Sequence, residues 1–84
     1  MSGEINSEVA DQAAVLAELE ATYGGRDGVE VDHLDGLSAS HADWAFNVRA
    51  SNTEPLLRLN AEGKDSTTMA AIRDEVLAII RSGR

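Results

Sequence analysis

The apolar residues of this chain change period twice, and that change limits the folds open to it. From Ser7 to Tyr23 they recur at helical spacing, at Val9, Ala13, Leu16, Leu19 and Tyr23. From Val29 to Ala61 they alternate with polar residues, the period of strands with one face buried. From Ser66 to Arg81 the helical spacing returns, at Met69, Ile72, Val76, Ile79 and Ile80. The expected order is α-β-β-β-β-α. Hairpin-length links make neighbouring strands antiparallel, so the pattern predicts an α+β chain: a four-stranded antiparallel sheet with two helices packed on one face.

Asn6 or Ser7 is the expected N-cap of the first helix, with Glu8 and Asp11 in its first turn, where the helix dipole favours acids. Gly24-Gly25 is expected to end it through positive-φ freedom. Val29, Val31 and His33, then Leu37 and Ala39, read as a hairpin on an Asp35-Gly36 turn. A two-residue turn pairs Leu34 with Leu37, His33 with Ser38 and Glu30 with His41. In the third strand Trp44, Phe46 and Val48 share a face, and in the fourth Leu57, Leu59 and Ala61 do. Asp65 or Ser66 caps the second helix, and Arg81 and Arg84 suit its C-terminal end.

At 84 residues the chain is expected to be one domain, residues 1–84, either a small binding module or a piece of something larger. Fifteen acidic against seven basic residues give a formal charge of −8, which opposes broad binding to nucleic acid or anionic membranes. No cysteine is present, so a disulfide framework and a thiolate metal site are excluded. No apolar run approaches the roughly 20 residues of a membrane span, and the first residues lack a signal peptide's basic and apolar regions. A cytoplasmic protein is expected.

Against that acidic background, Arg49-Ala50-Ser51-Asn52-Thr53-Glu54-Pro55 stands out. An Arg fork followed by two hydroxyls and an amide, in one turn between two strands, supplies the charge partner and converging donors that a phosphate needs. The other reading of such a run is a plain polar inter-strand loop. Asp32, His33, Asp35, His41 and Asp43 read as solvated strand and turn residues rather than metal ligands, because the hairpin register leaves the two histidines roughly 10 Å apart. Trp44 and Phe46, with a polar opposite face, read as core rather than a stacking platform.

The run from Arg49 to Pro55, followed by Leu-Leu-Arg-Leu-Asn, closely resembles the C-terminal domain of the α-D-phosphohexomutases, in particular the bacterial phosphomannomutase/phosphoglucomutase branch. Asp35-Gly36-Leu37, the strand Trp44-Ala45-Phe46-Asn47-Val48 and the final helix carry the likeness across nearly the whole chain. The architecture is similar to the TATA-box-binding-protein-like fold. The resemblance implies an intramolecular phosphotransferase, an isomerase of carbohydrate metabolism that interconverts hexose 6-phosphate and hexose 1-phosphate through a phosphoserine enzyme and a bound hexose 1,6-bisphosphate. Arg49, Ser51, Asn52 and Thr53 are then expected to clamp the substrate phosphate, with Glu54 shaping the turn and Arg58 in support. Asn52, where phosphoglucosamine mutases usually carry Gly, resembles the phosphomannomutase type.

The family's phosphoserine, its magnesium loop and its sugar-recognition loop have no counterpart in this sequence. The resemblance therefore implies preceding domains as partners, Mg2+ bound by them and not by these residues, no catalytic residue in this chain, and no turnover by the chain alone. The C-terminal domain of a phosphoglucosamine mutase and a stand-alone phosphate- or phosphopeptide-binding module are the alternatives.

Overall fold

A computed structural model describes residues 2–82. The elements run β1 (Ile5–Glu8), α1 (Gln12–Gly24), β2 (Glu30–Asp32), β3 (Leu37–Ser40), β4 (Trp44–Ala50), β5 (Leu56–Gly63) and α2 (Ser66–Ile80). The α+β class stands, with two helices on an antiparallel sheet, but the sheet has five strands and not four, in the order β1-β5-β4-β3-β2. The chain order α-β-β-β-β-α is thus corrected to β-α-β-β-β-β-α.

The added strand is the segment expected to start the first helix. Ile5 and Ser7 turn inward while Asn6 and Glu8 face out, and the strand pairs with β5 through Ile5↔Leu59 and Ser7↔Leu57. The buried Ser7 hydroxyl accepts a bond from Arg81 Nε at 3.0 Å, so this inward polar group has a partner. Arg81, expected to serve the dipole of the second helix, instead ties its end to β1. Arg84 lies outside the described residues. The N-cap of α1 is Asp11, whose Oδ1 accepts from Ala14 N at 3.0 Å, so Asn6 and Ser7 are not caps and Glu8 is not in the first turn.

Val15, Leu19 and Tyr23 form the buried stripe of α1, whereas Ala13 is exposed and Leu16 half-buried. Gly24 and Gly25 end this helix without positive φ; Gly25 has φ −97°. In α2 the cap is Asp65, whose Oδ1 accepts from Thr68 N at 2.7 Å, and Ile72, Val76 and Ile80 are buried. Met69 and Ile79 are half-buried. These helix residues close one core with Leu37, Ala39, Phe46, Val48, Leu57, Leu59 and Ala61. Both helices therefore cover one face of the sheet, and Ser38, Ser40, Asn47, Asn60 and Glu62 alternate onto the other.

The hairpin register also differs from expectation. Glu30 pairs with Ser40, Val31 with Ala39 and Asp32 with Ser38, one residue off the pairing that a two-residue turn imposes. Directly opposed residues share a face, so the expected register would turn Val31 to the side of Ser40. The observed one keeps Val31 beside Ala39 over the core and lengthens the loop, leaving Leu34 97% exposed. Tyr23 packs edge-on against Phe46 and Trp44, with centroids 4.8 and 5.8 Å apart, so these aromatics belong to the core or its margin. Among the described residues no helix is long and apolar enough to cross a membrane.

Candidate functional site

The chain leaves β4 at Ala50 and enters β5 at Leu56, and the connection is braced from within. Ser51 N–H donates to Leu56 O at 3.0 Å and Leu56 N–H to Glu54 O at 2.8 Å. Ser51 Oγ accepts from the N–H groups of Thr53 and Glu54 at 3.3 and 3.2 Å, the ST-turn geometry that short hydroxyl side chains favour. With both N–H groups occupied, the outward donors of the loop are the hydroxyls of Ser51 and Thr53, 3.5 Å apart, and exposed Asn52 at the tip. Glu54 contributes main-chain bonds that shape the turn.

Beneath the loop lies a residue that the sequence pattern does not assign to it. Gln12, the first residue of α1, points its Nε2 at Leu56 O (2.8 Å), Ser51 O and Glu54 O (both 3.2 Å). One amide group thereby gathers the carbonyls on the inner side of the loop, so that its donors face outward. No local pattern marks Gln12, because its partners lie about forty residues on.

The two arginines come from the strands on either side. Arg49 and Arg58 are direct cross-strand partners on β4 and β5, and alternation with Val48 and Leu57 turns both away from the core. Arg58 is half-buried, and its Nε is buried with no hydrogen-bond partner among the described residues. Arg49 Nη1 lies 3.7 Å from Asp35 Oδ2. Asp35 belongs to the loop after β2, which is pressed against β4: Gly36 has φ +71°, and a Cβ there would stand 2.4 Å from Val48 O. Asn47 Nδ2 donates to Asp35 O, fixing the same loop from the sheet. In sequence Asp35-Gly36 reads as a turn alone; its tertiary role has no local signature.

These parts surround one cleft of about 510 Å3, lined by Arg49 to Thr53, Arg58, Asp35, Gly36 and Leu16. All four expected clamp residues, Arg49, Ser51, Asn52 and Thr53, line it, and so does Arg58; Glu54 does not. Two guanidinium groups against one carboxylate leave the cleft positive on a chain whose formal charge is −8. Arg forks, hydroxyls and an amide on a concave surface can bind an oxyanion and orient it.

The histidines stand elsewhere. His33 Nε2 meets Glu20 Oε1 at 2.8 Å on the exposed side of α1. His41 stacks on Trp44 with centroids 5.2 Å apart, and its Nδ1 accepts from Asp43 N. No group of three or more His, Cys, Asp or Glu converges among the described residues.

Residues 4–79 match the family described as phosphoglucomutase/phosphomannomutase, C-terminal domain. A phosphomannomutase of Salmonella montevideo is 49% identical over 82 residues, covering 96% of this chain and 18% of that protein. A protein named for phosphohexose mutases in Xanthomonas campestris pv. campestris (strain B100) is 43% identical, over 98% of this chain and 18% of its own length. A phosphomannomutase of Methanocaldococcus jannaschii is 39% identical, over 94% and 17%. The chain spans less than a fifth of the length of these relatives.

Proposed function

Since the chain belongs to the phosphoglucomutase/phosphomannomutase C-terminal domain family, we propose that its cleft clamps the phosphate of a hexose phosphate during phosphoryl transfer carried out by a larger enzyme of this family. The observation that carries the reading is the juxtaposition of Arg49 and Arg58 across the strands, beside a loop whose hydroxyls and Asn52 face the same cleft. Arg49 supplies the charge partner, and its planar fork suits two phosphate oxygens at once. Ser51, Asn52 and Thr53 donate to the remaining oxygens, and Arg58 adds charge from below.

A clamp of this kind is indifferent to which end of the sugar bears the phosphate. It can hold hexose 6-phosphate, hexose 1-phosphate or either end of a 1,6-bisphosphate, the requirement of an isomerase whose intermediate turns over between two transfers. The nucleophile, the magnesium and the sugar-reading groups are supplied by preceding domains, and the chain alone does not turn over substrate. Asn52 favours the phosphomannomutase type.

The reading is tested by titrating the chain with mannose 6-phosphate, glucose 1-phosphate and inorganic phosphate while following backbone amide shifts. Shifts centred on Arg49 to Thr53 are expected, with an affinity on the order of millimolar, since one clamp supplies a fraction of a full site's energy. Arg49→Ala should abolish them. A silent loop at saturating phosphate, or an equal response in that variant, would sink the proposal.

A further inference from the structure

We infer that Asp35 is the clamp's built-in counter-ion, competing with the incoming anion for Arg49 and so setting both the grip of the cleft and its choice of anion. The inference rests on the phosphate-clamp reading. Its basis is that Asp35 and Arg49 line the same cleft with Oδ2 and Nη1 3.7 Å apart, too long for a hydrogen bond yet close enough for charge pairing. The side chains are 71% and 43% exposed, so the pair lies on the solvent side from which a ligand arrives.

The backbone that carries this carboxylate is fixed while the carboxylate itself is free to leave. Asn47 Nδ2 holds the Asp35 carbonyl, and Gly36, at φ +71°, seats the loop against Val48 O. Among the described residues the Asp35 carboxylate accepts no hydrogen bond, and its ionic partner there is Arg49. A tethered group of this sort acts at an effective concentration in the millimolar range. A free monoanion of equal charge gains nothing by replacing it. A phosphate dianion does, because it brings a second charge and oxygens that reach the donors of the loop at the same time. Once the dianion is seated, Asp35 repels it, which keeps binding weak and release easy. An enzyme that must let go of its bisphosphate and grasp the other end has use for such a residue.

The test compares the wild-type chain with Asp35→Asn, an isosteric change at an exposed position that keeps the main-chain bond to Asn47. Each is titrated with inorganic phosphate above its second pKa, and separately with acetate, while the Arg49 to Thr53 amides are followed. Phosphate is expected to bind the variant roughly three- to tenfold more tightly, the scale of a lost exposed ion pair plus a removed repulsion. Acetate should leave the wild-type loop silent and shift it in the variant. Equal or weaker phosphate binding by Asp35→Asn would overturn the inference, since Asp35 would then orient Arg49 rather than compete for it. A loop that ignores phosphate in both proteins would instead overturn the clamp reading itself, and the inference with it.

Discussion

Arg49 and Arg58 face each other directly across β4 and β5, in a sheet position where like charges are destabilising. Asp35 offsets one of them, at 3.7 Å, and none of the ion pairs among the described residues involves Arg58. Two guanidinium groups thus stand together against a single carboxylate, an excess of positive charge that suits the anion proposed above.

Arg58→Met is therefore expected to move stability and binding in opposite directions. It removes the cross-strand repulsion and the unpartnered Nε, so the ligand-free chain should gain a few tenths to about 1 kcal/mol in urea unfolding. Phosphate affinity should fall roughly tenfold or more, the worth of a charge-assisted contact. A variant that is less stable and binds phosphate as before would show that Arg58 serves the sheet alone.

Gln12 is expected to act on the clamp without touching its ligand. Gln12→Ala leaves the carbonyls of Ser51, Glu54 and Leu56 without their shared donor, at a cost of about 1 kcal/mol. Hydrogen exchange at the loop amides should quicken more than in α2, and phosphate affinity should drop with it. Gln12→Glu, which sets a carboxylate against the same carbonyls, should be worse than Ala. Uniform acceleration across the molecule would indicate a general loss of stability instead.

Gly36 gives the hairpin loop its place against β4. Gly36→Ala combines a left-handed φ of +71° with a Cβ placed 2.4 Å from Val48 O, a backbone atom that cannot rotate away. The expected cost is about 1–3 kcal/mol from backbone conformation alone, with the steric shift added. Gly24→Ala, where an added Cβ meets nothing within 4 Å, is the control and should be near neutral or stabilising. Similar urea midpoints for the two variants would contradict the structure.

How far the sequence discloses this molecule depends on how local each cause is. Phe46, Val48, Leu57, Leu59 and Ala61 alternate so regularly that β4 and β5 are legible, as is α2 from Ile72, Val76 and Ile80. β1 is hidden because its inward side pairs Ile5 with a hydroxyl, Ser7, whose partner Arg81 lies at the far end of the chain. Val9 and Ala13 also imitate a helical continuation. Asp-Gly resembles a two-residue turn, yet the core's claim on Val31 beside Ala39 overrides it, and Gly36 uses its positive φ to approach β4. The loop side of the cleft is legible because Arg49 to Thr53 are contiguous. Gln12 and Asp35 reach the same place from other elements, and no periodicity records that.

Tyr23 gives the fold a pH dependence whose sign can be worked out. Its hydroxyl donates to Glu75 Oε1 at 2.8 Å, the same oxygen that Arg26 approaches, and the Arg26 guanidinium lies 4.5 Å above the Tyr23 ring. Burial first, and then the bond to Glu75, push the phenol well above its ordinary value of 10.0. The unfolded chain therefore gives up this proton more readily than the folded one. The stabilisation from Tyr23 is whole below pH 10.0 and is lost as the pH climbs from there toward the raised folded value. Tyr23→Phe should cost about 1 kcal/mol at neutral pH through the lost hydrogen bond. Urea midpoints measured from neutrality to alkaline pH should fall more steeply for the wild type than for Tyr23→Phe, so that the gap between them narrows or reverses. Parallel decline of the two proteins above pH 10.0 would mean that this hydroxyl titrates alike in the folded and unfolded states.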